Sequence, residues 1–191
     1  LAEAASGAML YTKSSFLCNR LGEVVTSPLF TLIDDATLPR EVGARPFDGD
    51  GVSSRRVVVV SEGKLASYLL GTYSGHKLGM KTTGHKSGTS NLFVRPGLSS
   101  PESIIASVGN GLYVTKFLGQ GVNFLTGEFS RGVQGIWIEN GELAYPVEEI
   151  TVSGNLKDMF MNIEMLGNDM EFRSSVTAPT MKISVMTVAG N

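Results

Sequence analysis

The sequence predicts an α+β fold, strand-rich and built around largely antiparallel sheet, with a few short helices. Three observations predict it. Glycine is abundant, 23 of 191 residues, and stands between short apolar runs, as turns between strands require. Asn140-Gly141 separates two apolar segments and is the pair that a type I′ hairpin turn selects, because both central residues need a positive φ. Helical spacing appears in two segments, and both are short.

The first hairpin is RRVVVVSEGKLASYLLGTY (55–73). Val57 to Val60 form a β-branched run, Glu62-Gly63 supply the turn, and Leu65 to Leu70 return. An unbroken VVVV run predicts a strand covered on both faces. SSPESIIASVGNG reads as a helix with Ser100 as N-cap, Pro101 at the first helical position, Ile104, Ile105 and Val108 on one face, and Gly109 as its stop. GNGLYV (109–114) then opens a strand, so it lacks the turn-into-helix geometry that cradles a phosphate.

The second hairpin is GIWIENGELAYPV (135–147). NLKDMFMNIEMLGND follows as a helix from N-cap Asn155, with Leu156, Met159, Phe160, Ile163 and Leu166 as a core-facing stripe and Gly167 as its C-terminal stop. MKISVMTVAG (181–190) alternates Met181, Ile183 and Val185 with more polar neighbours, as a half-buried strand does. No linker or low-complexity tract divides the chain, so residues 1–191 read as a single domain. Its opening at Leu1 in LAEAASGAML reads as the C-terminal piece of a longer protein.

Charge is nearly balanced, 16 Lys+Arg against 18 Asp+Glu, a poor match for direct contact with nucleic acid. No apolar run approaches the length of a membrane span. The single Cys18 leaves no intrachain disulfide, which fits a reducing compartment, and its apolar setting reads as a small core residue. Asp34-Asp35 and Glu148-Glu149 are adjacent acids. Neighbours in a strand face opposite ways, so both pairs read as solvated turn or edge charges.

Both histidines lie in GHKLGMKTTGH (75–85). A catalytic zinc site wants three protein ligands and a water. His76 and His85 lack an HExxH-type spacing, each is followed by a lysine (Lys77, Lys86), and the nearest acids in sequence are Glu62 and Glu102. They read as a loop near strand ends, packing or contacting a partner. No GxSxG elbow supports a serine hydrolase.

GHKLGMKTTGH (75–85), the long run LGQGVNFLTGEFSRGVQGIWIENGELAYPVEEITVSGNLKDM (118–159) and GNDMEFRSS (167–175) closely resemble the C-terminal half of the PmbA/TldE members of the TldD/PmbA peptidase family. YTKSSFL (11–17) and FDGDGV (47–52) extend the likeness over nearly the whole chain. The resemblance implies a cytoplasmic, zinc-dependent peptidase complex acting in peptide maturation and on small unfolded substrates. TldD-type members carry an HExxxH helix and a cysteine after the GND stretch. Here no His-Glu pair occurs, the HExxxH position would fall at or before residue 1, and Gly167-Asn168-Asp169 is followed by MEFRSSVTAPT without cysteine. The resemblance thus implies a subunit without its own zinc, partnered by a zinc-bearing TldD-type subunit or by a second copy.

Such a subunit could still offer strand edges to an extended peptide, with Gln120, Asn123 and Arg131 bonding to peptide groups and His76 and His85 near the shared chamber. Two alternatives remain beside it. One is an interaction protein acting on DNA gyrase or its inhibitors, as the family's older name, modulator of DNA gyrase, implies. The other is a stand-alone metallopeptidase whose ligands lie outside this sequence.

Overall fold

The structure, a computed structural model, describes residues 1–190. The chain runs α1 (Gly7–Tyr11), β1 (Leu32–Asp35), β2 (Arg56–Ser61), β3 (Lys64–Leu65), α2 (Thr72–Leu78), β4 (Leu92–Val94), α3 (Pro101–Ala106) and β5 (Asn110–Leu118). It continues through β6 (Glu128–Glu139), β7 (Glu142–Asn155), α4 (Leu156–Met161), β8 (Ile163–Leu166), β9 (Val176–Thr177), β10 (Met181–Ile183) and β11 (Thr187–Ala189). The strands form three sheets, ordered β3-β2-β1-β4-β9, β11-β7-β6-β5 and β10-β8. Every pairing is antiparallel except β4 with β9. The α+β expectation holds.

The five-stranded sheet carries the larger core. Val59 and Val60 are fully buried and Val57 nearly so, and they pack with Leu65, Leu70, Leu92 and Val94. The VVVV run is therefore covered as its composition predicts. The four-stranded sheet carries a second core of Phe129, Val133, Ile150, Val152 and Leu156. Phe16 and Phe160 pack against both cores. Phe124, on the β5–β6 connection, packs against the first, and its carbonyl accepts a hydrogen bond from Phe16 N–H at 2.8 Å. These aromatic side chains tie the two sheets together, and aromatic burial is the largest apolar area a single residue supplies.

The Asn140-Gly141 turn forms as expected, with φ of 52° and 82°, but the strands it joins are much longer than the segment that announced it. Three β-bulges bend this hairpin and its β5 neighbour, one of them at Glu149, whose φ is 58°. Glu148 and Glu149 are exposed there, as solvated edge charges.

Several boundaries differ from the sequence expectation, each for a tertiary reason. The helix from Ser100 keeps its cap, Ser100 Oγ accepting from Ser103 N–H, but it ends at Ala106. Gly109 is not its stop, because its carbonyl accepts from Asn140 N–H and the next residue enters β5. The helix from Asn155 is capped as predicted yet ends at Met161. Ile163 to Leu166 leave the helical stripe and pair with β10, so Gly167 caps no helix. Residues 181–190 are not one half-buried strand. They split into β10 on β8 and β11 on β7, with Val185 between them 75% exposed. The return strand after Gly63 is only two residues long, since Leu69 leaves the sheet to donate its N–H to Ala5 O. The helices α1 and α2 carry no apolar periodicity strong enough to announce them.

Gly141 carries two constraints at once. Its φ lies in the left-handed region, and a Cβ there would stand 2.8 Å from Ala106 O. Gly141→Ala is expected to destabilise the protein by about 1–3 kcal/mol in urea denaturation, whereas Asn140→Gly stays within about 0.5 kcal/mol of the parent.

Candidate functional site

The two histidines do not share an environment. His76 is exposed on α2, while His85 is 8% exposed and lies beside β1. What fixes His85 is Asp34, which the sequence reading took for a solvated charge. The structure buries both acids of that pair, Asp34 at 1% and Asp35 at 5% exposure, on the central strand β1. The physical reason is that each carboxylate finds its donors inside the fold. As alternation demands, the two side chains reach different partners.

Asp34 Oδ1 accepts from Ser90 N–H at 2.8 Å. Asp34 Oδ2 accepts from Ser90 Oγ at 2.5 Å and from His85 Nε2 at 3.0 Å. Because a carboxylate only accepts, His85 carries its proton on Nε2. His85 Nδ1 meets Thr83 Oγ1 at 2.9 Å. Asp35 Oδ1 accepts from Thr37 N–H and Thr37 Oγ1, and its Oδ2 lies 3.8 Å from Arg56 Nε. Asn91 continues the clamp, its Nδ2 donating to Asp35 O and its Oδ1 accepting from Gly43 N–H.

The FDGDGV loop closes the arrangement from the other side. Asp48 is buried, accepting from Asp50 N–H and Val52 N–H on Oδ1 and from Lys86 N–H on Oδ2. Asp50 Oδ2 accepts from Thr72 N–H at the start of α2. The segment from Thr83 to Asn91 is thereby pinned to β1 and to this loop. Beside it runs a cleft of about 540 Å³, bordered by Ala2, Ser6, Tyr73, Ser74, His85 and Lys86.

The order Thr83–His85–Asp34 is that of a hydroxyl–imidazole–carboxylate triad. Thr83 does not present a nucleophile, however. Its Oγ1 accepts from Leu70 N–H at 2.7 Å, and its own N–H donates to Leu70 O. Ser90 Oγ is bound to the carboxylate rather than to the imidazole. The donors also do not fit zinc. Among the described residues no group of three His, Cys, Asp or Glu converges to hold a metal ion, and His85 Nε2 is already committed to Asp34.

The other expected contact residues lie in the β5–β6 connection and on β6. Gln120 is exposed in the β5–β6 connection. Asn123 Oδ1 accepts from Leu125 N–H and Thr126 N–H, which shapes the turn. Arg131 donates from Nη2 to Gly119 O and lies 5.1 Å over the Phe117 ring. The structure thus groups Gln120, Asn123 and Arg131 at one end of β5 and β6, and places His76 and His85 with the five-stranded sheet. Cys18 is half-buried against the larger core. No helix among the described residues is long and apolar enough to cross a membrane.

Asp34, Ser90 and Thr83 escaped the sequence reading. The available signal was the apolar run Phe30, Leu32, Ile33 leading straight into two acids, which marks a buried strand end rather than a turn. Burial pushes the Asp34 carboxyl up, but hydrogen bonds from His85 and Ser90 outweigh it and hold the group below its ordinary value. The unfolded chain therefore binds that proton more tightly than the fold does. The contribution is fully present above about pH 4 and is lost as pH falls through the lowered value. Asp34→Asn is expected to cost about 2–4 kcal/mol at neutral pH and to flatten the stability profile below pH ~4. Denaturant titrations between acid and neutral pH check both.

The PmbA/TldA metallopeptidase C-terminal domain family matches residues 1–190. A metalloprotease PmbA homolog of Haemophilus influenzae is 42% identical over 191 residues, covering 100% of this chain and 42% of that protein. A metalloprotease TldD homolog of the same organism is 28% identical over 203 residues, covering 93% of this chain and 42% of its own length. A crystal structure from Bacteroides thetaiotaomicron, named for modulation of DNA gyrase, superposes with a TM-score of 0.93 at 36% identity, over 100% of this chain and 43% of that one. The chain thus spans less than half the length of these relatives. With the fold, the long antiparallel hairpin and the full-length match in agreement, the chain belongs to the PmbA/TldD metallopeptidase family.

Proposed function

We propose that this chain is the C-terminal part of a PmbA/TldE-type subunit that holds no metal of its own and works with a zinc-bearing TldD-type partner. The complex is a cytoplasmic peptidase that matures peptides and degrades small unfolded substrates. The observation that carries the reading is the commitment of His85, which is hydrogen-bonded on both ring nitrogens inside the fold. His76 is exposed on α2, and no group of three His, Cys, Asp or Glu among the described residues is placed to hold a metal ion. The higher identity to the PmbA homolog than to the TldD homolog supports the same side of the family.

A subunit of this kind contributes walls and strand edges. β5 ends the order of the four-stranded sheet, so its outer edge is open for an extended peptide to add as a further strand. Gln120 and Arg131 stand near the end of that edge, where they reach peptide carbonyls or a carboxylate. Asn123 acts by shaping the turn that holds them.

The test is hydrolysis of short unstructured peptides by the full-length protein, alone and mixed with an HExxxH-bearing partner. Chelator-sensitive cleavage at least about 10-fold above either subunit alone is the expected result. Cleavage by the full-length protein alone overturns the reading in favour of a stand-alone peptidase. No cleavage in any mixture, together with capture of gyrase, overturns it in favour of an interaction protein.

A further inference from the structure

A second cleft, of about 410 Å³, lies between α1, the residues that follow it and α2. Tyr11, Tyr73, Leu10 and Leu78 supply its walls, Lys13 and Lys77 its charge, and no acidic residue lines it. We propose that this cleft binds a carboxylate carried on an apolar, preferably aromatic, body. That chemistry is shared by the C-terminal residue of a peptide and by a free aryl-alkanoic acid.

The aromatic surface is real and uncovered. Tyr11 and Tyr73 meet edge to face, with centroids 5.7 Å apart at 85°, yet they remain 39% and 55% exposed. Lys77 Nζ stands 5.5 Å from the Tyr73 ring centroid, so a cation is held next to the apolar wall. Lys13 adds a second positive charge, and Asn19 adds an amide donor. An anion with an apolar body satisfies both kinds of surface at once, whereas a cation meets only like charge.

The backbone places both polar rim residues. Lys13, at φ 56°, is the left-handed residue that ends α1: its N–H donates to Leu10 O and Ser14 N–H donates to Met9 O, the paired bonds of a helix C-terminal cap. Asn19, at φ 59°, occupies the left-handed region that asparagine tolerates in turns, and both residues border this cleft. The walls are fixed as well. α1 and α2 approach so closely that a Cβ on Gly7 would overlap the Ser74 side chain.

The proposal needs neither zinc nor a partner subunit, so it stands or falls separately from the function proposed above. Isothermal titration of the full-length protein at low salt tests it with four probes: N-acetyl-phenylalanine, its amide, 3-phenylpropionate and N-acetyl-Ala-Ala-Phe. The acid is expected to bind at least ~10-fold more tightly than the amide. In the Lys13→Ala/Lys77→Ala double variant that preference disappears while the melting temperature holds. Tyr73→Ala weakens acid and amide alike. Tighter binding of the peptide than of phenylpropionate assigns the site to a peptide terminus, and equal binding assigns it to a free acid. Equal affinity for acid and amide, no binding of any probe, or a preference that survives in the double variant overturns the proposal.

Discussion

One buried carboxylate organises the five-stranded sheet. Asp34 is 1% exposed on its central strand and accepts three hydrogen bonds, two from Ser90 and one from His85. A charge in that position is tolerable only when its acceptors are filled, and here they are filled from a single connecting segment. Satisfying Asp34 therefore dictates where residues 83–91 run. That path in turn sets Lys86 against Asp48, and the same loop holds Thr72 at the start of α2 through Asp50. Both clefts border α2.

The second constraint is mechanical. Two apolar cores, one per large sheet, are joined by Phe16, after α1, and Phe160, on α4, which pack against both, while Phe124 packs against the first core from the β5–β6 connection. Side chains from three distant parts of the sequence thus hold the sheets together. Interiors packed at crystal-like density transmit such contacts rigidly. The open edge of β5 and its Arg131-bearing neighbour are thereby held on the same body as the Asp34 network.

The parts visible in the sequence were those encoded locally. Asn140-Gly141 announced its turn because φ > 0 at two successive residues is a demand few other pairs meet. Ser100 and Asn155 announced helix starts because capping is a local hydrogen bond. Helix ends were misread where a strand partner far away in sequence claimed the following residues, as β10 claims Ile163 to Leu166. The site was hidden for a related reason. Asp34 and His85 are 51 residues apart, and nothing in either neighbourhood states that they meet. Adjacent acids usually mark solvated surface. Only the enclosing strands turn Asp34 into a buried anchor. Family resemblance reached further than local pattern, because it carries tertiary information that spacing does not.

His85 is committed to Asp34 and Thr83, and the reading proposed above is that this subunit holds no zinc of its own. The most direct test is the zinc content of the full-length protein, purified away from any TldD-type subunit and dialysed against metal-free buffer. Far less than one zinc per chain is the expected result. A stable stoichiometry of about one zinc per chain would contradict it, since a bound zinc needs at least three protein donors.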